Sequence, residues 1–80
     1  MPAYPTPAEA TIKELLTAEA AEAGLTFVPR IGRFIGGLQV HALGKLSVII
    51  DVQHNAIKAF VGDRWAPVAM EDAIRLARDK

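Results

Sequence analysis

One group of side chains in this 80-residue chain is a candidate for catalysis, and it comprises the two histidines, one of the aspartates and the serine. Histidine and aspartate side chains bind metals and transfer protons, and the candidates here are His41, Asp51 and His54. Ser47 lies opposite His41 in the predicted strands, as a nucleophile lies beside its general base. The two histidines, however, fall at opposite ends of the predicted hairpins, whereas a metal site needs three or four converging ligands. We therefore predict no enzyme activity, no metal site and no cofactor.

A second candidate site is basic. Arg30, Arg33 and Lys45 lie within residues 25–50, where the sequence has no acidic residue. Three glycines near the arginines would let a phosphate approach the backbone amides: Gly32, Gly36 and Gly37. The segment "GRFIGG" matches neither the P-loop nor the dinucleotide-binding motif. Because nucleic-acid affinity grows with the number of phosphates neutralised, these three cations predict a weak, salt-sensitive nucleic-acid site, which is our alternative function.

The composition is that of one globular domain spanning residues 1–80. Hydrophobic residues make up 51% of the chain and charged residues 22%, which argues against disorder. The absence of cysteine excludes disulfides and thiolate metal sites. The sequence has no apolar run of transmembrane length and no secretory signal at its N-terminus, so we expect a cytoplasmic protein without a membrane partner.

Two amphipathic helices are predicted, one towards each end of the chain. The first follows an N-terminal arm of residues 1–6, covers residues 7–23 and stops at Gly24, a typical C-terminal helix signal. Its apolar stripe has the 3.6-residue period and comprises Ile12, Leu15, Leu16, Ala20 and Ala23. The second helix begins at residue 68 or 70 and continues to Asp79. Its apolar stripe comprises Met70, Ala73, Ile74 and Ala77.

The segment between the helices predicts a short strand over residues 25–28 that Pro29 stops. A loop or an irregular edge over residues 29–37 follows, and then a three-stranded antiparallel meander. "GDRWAP", at residues 62–67, is predicted to be a turn that leads out of the sheet. The predicted fold class is therefore α+β, with two helices packed on one sheet in two layers.

The register of the first predicted hairpin follows from burial. A connection of residues 43–45 sets Ala42 opposite Leu46, and a shift by one residue would bring Gln39 and His41 into the apolar face. The predicted core face of the meander comprises Leu38, Val40, Ala42, Leu46, Val48, Ile50 and Val52.

The second predicted hairpin turns at His54–Asn55, a two-residue loop whose asparagine tolerates positive φ. This register pairs Val52 with Ile57, Ile50 with Ala59 and Val48 with Val61 on the core face. It also sets Asp51 opposite Lys58 and Ile49 opposite Phe60 on the other face.

The face that the helices leave free suggests a function. Ile49 and Phe60 would form its apolar centre, and the predicted polar rim comprises Asp51, Lys58, His41 and Gln39. An apolar centre with a polar rim is typical of a small protein–protein contact. Two alternatives stay open: scattered exposed apolar residues are also ordinary, and one helix or the N-terminal arm, with Tyr4, could cover this face. We therefore predict a noncatalytic binding module of the adaptor, regulator or inhibitor type. An exposed edge strand offers a second mode, pairing with a partner strand or with another copy as a homodimer.

Overall fold

The first helix is the first element of the chain that the structure describes. The computed structural model describes the backbone of residues 7–80 and the side chains from residue 10, so the predicted arm of residues 1–6 lies outside the described residues. Helix α1 spans Pro7–Glu22. It ends in a Schellman motif, in which the amide of Leu25 donates to the carbonyl of Ala20 over 2.8 Å and Gly24 has a φ of +74°. The predicted stop at Gly24 is thus confirmed.

The second helix, α2, spans Met70–Asp79, and the prediction of its extent is confirmed. It buries Ala73, Ile74 and Ala77 in one stripe, as the 3.6-residue spacing predicts. The stripe of α1 is confirmed in part. Leu16 is 0% exposed, whereas Leu15, one residue earlier, lies outside the buried stripe and is 52% exposed.

The sheet contains five antiparallel strands in sequential order, so the α+β class is confirmed and the predicted three-stranded meander matches only part of the sheet. The strands are β1 (Phe27–Ile35), β2 (Leu38–Leu43), β3 (Leu46–Asp51), β4 (Ala56–Val61) and β5 (Arg64–Val68). The predicted exit turn at residues 62–67 is wrong from Arg64 onwards, because β5 begins there and pairs with β4.

Strand β1 corrects the predicted stop at Pro29, and residues 29–35 form the irregular edge rather than the loop, the two alternatives predicted for residues 29–37. The strand continues through Pro29 to Ile35 and pairs with β2 on both sides of an irregularity between Pro29 and Phe34. Proline is tolerated here because β1 is an edge strand and needs no amide donor on its outer side. Gly36 and Gly37 then form a two-residue turn, in which both glycines have positive φ.

The predicted register of the first hairpin is wrong by one residue. Leu43, not Ala42, opposes Leu46, because Gly44 and Lys45 alone form the turn and Gly44 adopts a φ of +60°. An odd shift turns every β2 side chain to the other face. His41 therefore lies on the side of the helices, where its ring stacks on that of Phe27 with 4.9 Å between centroids.

The predicted register of the second hairpin is wrong by two residues. Because side chains alternate along a strand, an even shift leaves each strand residue on the predicted face of the sheet. Its connecting segment is a 3₁₀ turn, Val52–His54, followed by Asn55 in the left-handed conformation. Ile50 consequently pairs with Ile57 and Val48 with Ala59. The carboxylate of Asp51 accepts a hydrogen bond from the amide of His54 over 3.3 Å, which caps the 3₁₀ turn and explains the longer connection.

The hydrophobic core fills the space between the two helices and one face of the sheet. Its buried members are Leu16, Ala20, Leu43, Leu46, Val48, Ile57, Ala59, Ala73, Ile74 and Ala77. The molecule thus has two layers, and the other face of the sheet carries no helix among the described residues. None of the helices in the part of the chain that the structure describes is long and apolar enough to cross a membrane.

Candidate binding groove

A groove of about 400 Å³ lies on the face of the sheet opposite the helices. We call it the arginine–aromatic groove. Its lining residues are Arg30, Arg33, Phe34, Ile35, Val40, Ser47, Phe60 and Trp65. This volume falls in the range of about 300–1,000 Å³ that is usual for ligand pockets, so the groove has room for one or two large side chains of a partner.

The irregular part of β1 positions the two arginines. The Gln39 side-chain nitrogen donates to the carbonyl of Arg30 over 2.7 Å and to that of Arg33 over 3.0 Å. These hydrogen bonds satisfy backbone acceptors that cannot pair with β2, since the regular pairing is interrupted between Pro29 and Phe34. The amide of Gln39 therefore fixes the backbone that carries both guanidinium groups.

The β4–β5 hairpin contributes the aromatic part of the groove. Gly62 and Asp63 form a two-residue turn that places Phe60 opposite Trp65. The two rings are 5.2 Å apart and tilted by 60°, a favourable geometry for an aromatic pair. Phe60 is 39% exposed, so the pair still presents apolar surface to solvent.

The β1–β2 hairpin adds further apolar surface. Phe34 is 59% exposed and Ile35 is exposed beside it, while Val40 is buried at the base of the groove. Ile31, in the irregular part of β1, is also exposed. An aromatic ring and two large aliphatic side chains are thus presented on one short hairpin, a density of exposed apolar residues that is typical of interaction surfaces.

The electrostatic character of the groove is positive. Arg30 and Arg33 line it, and no acidic residue is among the lining side chains that the structure describes. The Nε atom of Arg30 is shielded from solvent and has no hydrogen-bond partner among the described residues. An unpartnered, desolvated donor is costly, and an acceptor beside this guanidinium would reduce that cost.

The predicted protein-binding residues are not all brought together. Phe60 lines the groove, but Ile49 is 4% exposed and His41 lies in the opposite layer. Gln39 is half-buried and uses its amide nitrogen on the β1 carbonyls. The predicted pairing of Asp51 opposite Lys58 is wrong, because Lys58 opposes Ile49, yet the two charges still form an ion pair at 3.3 Å.

Of the three cations predicted to bind an anion, two lie at the groove and one does not. Arg30 and Arg33 are lining residues, whereas Lys45 lies in the turn between β2 and β3. The binding role of all three remains a prediction. The fold brings Phe60 and Trp65, which are distant in the sequence, to the arginines and to Phe34, which follows Arg33 directly in the chain.

The residues considered for catalysis do not come together as one group. Ser47 opposes Ala42 and His41 opposes Val48, so these two side chains point to opposite faces of the sheet. Asp51 and His54 do meet, with 2.7 Å between Asp51 Oδ2 and His54 Nδ1. Among the described residues, no cluster of three or more metal-ligating side chains is found.

Asp51 is the centre of a small charged cluster next to the 3₁₀ turn. The hydrogen bond from the His54 ring lowers the pKa of its carboxyl group below the ordinary value of 3.8, burial opposes this change, and the hydrogen bond from Lys58 adds to the lowering. The carboxylate therefore stays charged to a lower pH than an ordinary aspartate. This arrangement stabilises the turn and the strand end.

One part of the groove does have a local signal in the sequence, although the predicted exit turn overlooked it. "VGDR" places Gly-Asp between two apolar strands, a hairpin signal that would have predicted β5 and the Phe60–Trp65 pair. Gly36-Gly37 is a hairpin signal of the same kind for Phe34 and Ile35, whereas no local signal predicts the irregular pairing of β1 between Pro29 and Phe34. A comparison of the chain with models of known protein families finds no match.

Proposed function

We propose that this chain is a small noncatalytic binding module that contacts a partner protein through the arginine–aromatic groove. The observation that carries the proposal is the grouping of Phe34, Phe60 and Trp65 with two arginines on one concave surface. Aromatic residues and arginine are enriched in protein interfaces and dominate their energetic hot spots. The module would act as an adaptor, a regulator or an inhibitor.

The edges of the sheet support a contact on the face rather than on a strand edge. Each edge strand contains a proline, Pro29 in β1 and Pro67 in β5. Strand β1 is also irregular between Pro29 and Phe34. Prolines and bulges on edge strands hinder pairing with another strand, so sheet extension by a partner strand or by a homodimer is the less favoured mode.

The noncatalytic part of the proposal is supported by the chemistry of the lining residues. The titratable groups there are arginines, which remain protonated and cannot exchange protons in a catalytic cycle. Ser47 also lines the groove, but His41, the base considered for it, lies in the opposite layer. A hydroxyl without a base is a poor nucleophile.

A weak nucleic-acid-binding function is the second candidate, and one observation favours it. Exposed aromatic rings beside arginines are also how proteins hold single-stranded nucleic acid, because bases stack on rings while the cations pair with phosphates. Two arginines neutralise few phosphates, however, and Lys45 does not contribute to the groove. We therefore rank this function below protein binding.

The proposed function is tested by site-specific photocrosslinking in cells that express the chain. A photoreactive phenylalanine analogue replaces Phe34 in one variant and Leu15 in the matched control, since Leu15 is an equally exposed apolar residue on α1. We expect one discrete, protease-sensitive adduct from the Phe34 variant and none from the Leu15 variant. The crosslinked protein, once purified, should bind Phe60→Ala at least about tenfold more weakly than the wild type and Leu15→Ala equally well.

Two kinds of photocrosslinking result would contradict the proposed protein contact. Equal adducts from both positions, or no adduct at either, would exclude a specific protein contact at the groove. A nuclease-sensitive adduct at Phe34 alone would replace the protein partner with nucleic acid.

A further inference from the structure

We propose that the partner segment that enters the arginine–aromatic groove is acidic and apolar, with a carboxylate that pairs with Arg30 next to a large apolar side chain. This inference rests on the proposed function and names the chemistry of its partner. The apolar side chain would pack against Phe60 and Trp65, and the carboxylate would lie at the β1 side of the groove.

The first argument is charge complementarity. Arg30 and Arg33 line the groove, and no Asp or Glu accompanies them among its described lining residues. Asp51, the buried acid among the described residues, is already paired with His54 and Lys58. Helix α1, which carries acidic residues, lies on the other face of the sheet. The positive charge of the groove is therefore not neutralised within the part of the chain that the structure describes.

The second argument concerns a single hydrogen-bond donor. The Nε of Arg30 is inaccessible to solvent and unpartnered among the described residues, although its side chain borders an open groove. Buried polar atoms in folded proteins nearly always have a partner. Because this Nε has no accessible surface, a carboxylate contacts it only when the Arg30 side chain turns towards the groove, and the guanidinium then offers the carboxylate two parallel N–H donors at once.

The third argument concerns the preorganisation of the arginines. The carbonyls of Arg30 and Arg33 are both held by the side chain of Gln39. The backbone beneath the guanidinium groups is thus ordered before any partner arrives. Binding then loses less conformational entropy than it would on a flexible loop, which favours a specific ion pair over a diffuse charge attraction.

The large apolar side chain of the partner segment is inferred from the other residues that line the groove. Ile35 and Val40 are aliphatic and offer no ring on which a nucleic-acid base could stack. Together with Phe60 and Trp65, they form a surface that an aromatic or long aliphatic side chain can cover. An acidic peptide with one such residue satisfies both halves of the groove, whereas a nucleic-acid strand satisfies the arginines and the rings alone.

The test uses the purified full chain and a set of labelled dodecapeptides. The parent peptide contains two phenylalanines flanked by glutamates, the second peptide has glutamine at each glutamate, and the third has alanine at each phenylalanine. A single-stranded oligonucleotide of the same length is the fourth probe. Binding is measured by fluorescence anisotropy, and the position of each bound probe is mapped by amide NMR shifts.

We expect the parent peptide to shift the amides of residues 30–35 and of Phe60. The glutamine and alanine peptides should each bind about tenfold more weakly, the effect of losing a charge-assisted hydrogen bond or a buried anchor. Arg30→Gln should weaken the parent peptide by a similar factor without affecting the glutamine peptide. The matched control is Arg78→Gln, in an exposed arginine near the end of α2, and it should change nothing.

Two results would overturn the inference. Equal binding of the parent and glutamine peptides at the groove would remove the acidic requirement while leaving the proposed function intact. If the oligonucleotide alone shifts the groove amides, or if no peptide binds with a Kd below about 1 mM, the acidic peptide is the wrong occupant. Photocrosslinking at Phe34 then decides separately whether the groove binds protein at all.

Discussion

Arg30 and Asp51 are charged side chains in partly shielded positions, and their neighbours give them different roles. Asp51 has two partners within 3.3 Å, His54 and Lys58, and so contributes to the stability of the fold. The Nε of Arg30 has none among the described residues. A charged group whose hydrogen bonds are satisfied stabilises the structure, whereas a shielded donor without a partner carries an energetic cost that a suitable acceptor would remove.

Asp51 gives a prediction about acid stability. Because its folded pKa lies below the ordinary value of 3.8, the unfolded state binds a proton first as the pH falls. Its contribution is complete well above pH 3.8 and is lost as the pH falls through the lower, folded pKa. We therefore expect the difference in unfolding free energy between wild type and Asp51→Asn to be largest near neutral pH and to shrink on acidification. Urea unfolding at a series of pH values measures it.

The control for this prediction is Asp72→Asn. Asp72 also forms an ion pair, with Arg75 at 2.6 Å, but both side chains are exposed on α2. Exposed pairs contribute little to stability, so this variant should follow the wild type at every pH. A constant difference between wild type and Asp51→Asn down to strongly acid pH would contradict the lowered pKa.

At the scale of elements, the turns decide which residues face the core. Three of the four hairpin connections are two-residue turns that begin with glycine, at Gly36, Gly44 and Gly62, and each of these glycines has positive φ. Such turns fix the strand register because the residues on either side must pair directly. The fourth connection is longer, because Asp51 caps a 3₁₀ turn within it.

Alanine substitutions at Gly44 and Gly62 distinguish the cost of backbone strain from the cost of steric crowding by the added Cβ atom. Alanine at either position should cost about 1–2 kcal/mol of unfolding free energy, because L-residues avoid this φ. A Cβ atom at Gly44 would also lie 3.1 Å from Leu25 Cδ2, whereas one at Gly62 meets no atom within 4 Å. Urea unfolding followed by Trp65 fluorescence should therefore show a larger loss for Gly44→Ala. Equal losses would mean that Leu25 moves aside without cost.

Gln39 gives a prediction about the irregular part of β1. Gln39→Leu removes the donor to the carbonyls of Arg30 and Arg33 and should lower the unfolding free energy by about 1–2 kcal/mol. Amide hydrogen exchange of residues 30–34 should accelerate, since this segment loses its anchor. The matched control is Gln53→Leu, at an exposed position in the 3₁₀ turn. Unchanged exchange in Gln39→Leu would show that the β1–β2 pairing alone orders the segment.

At the scale of the whole molecule, the two-layer architecture separates stability from recognition. The core lies between the helices and one sheet face, and the groove lies on the other face. Residues such as Phe34 and Phe60 can therefore change without loss of the core, which is why their substitution should test binding rather than folding. A domain of this size has a modest core, so each fully buried side chain carries a large share of its stability.

The adjacent residues Leu16 and Leu15 test the separation between the buried core and the exposed surface of α1. Leu16→Ala should lower the unfolding free energy by about 2–5 kcal/mol, because it leaves a cavity between α1 and the sheet. Leu15→Ala, at an exposed position, should change it by less than about 0.5 kcal/mol. Urea unfolding measures both. Similar losses in the two variants would mean that α1 does not pack through the Leu16 side.

The sequence alone determined the elements whose signals are local. The end of α1 at Gly24, the extent of α2 and the α+β class depend on helical periodicity and on a glycine at the helix end, interactions that span only a few residues. The even shift in the β3–β4 hairpin left Val48, Ile50, Ile57 and Ala59 on the predicted core face, because side chains alternate with a period of two, whereas Val52 lies in the 3₁₀ turn and Val61 is exposed.

Only the tertiary structure decided the register of β2, the continuation of β1 and therefore the groove. The burial pattern argued against His41 in the helix-facing layer, but its stacking on Phe27 and the two-residue turn at Gly44 place it there. Pro29 stops a central strand, yet it is accepted at the edge of this sheet. These outcomes depend on contacts between residues far apart in the chain, and no local pattern encodes which of two faces such contacts will favour.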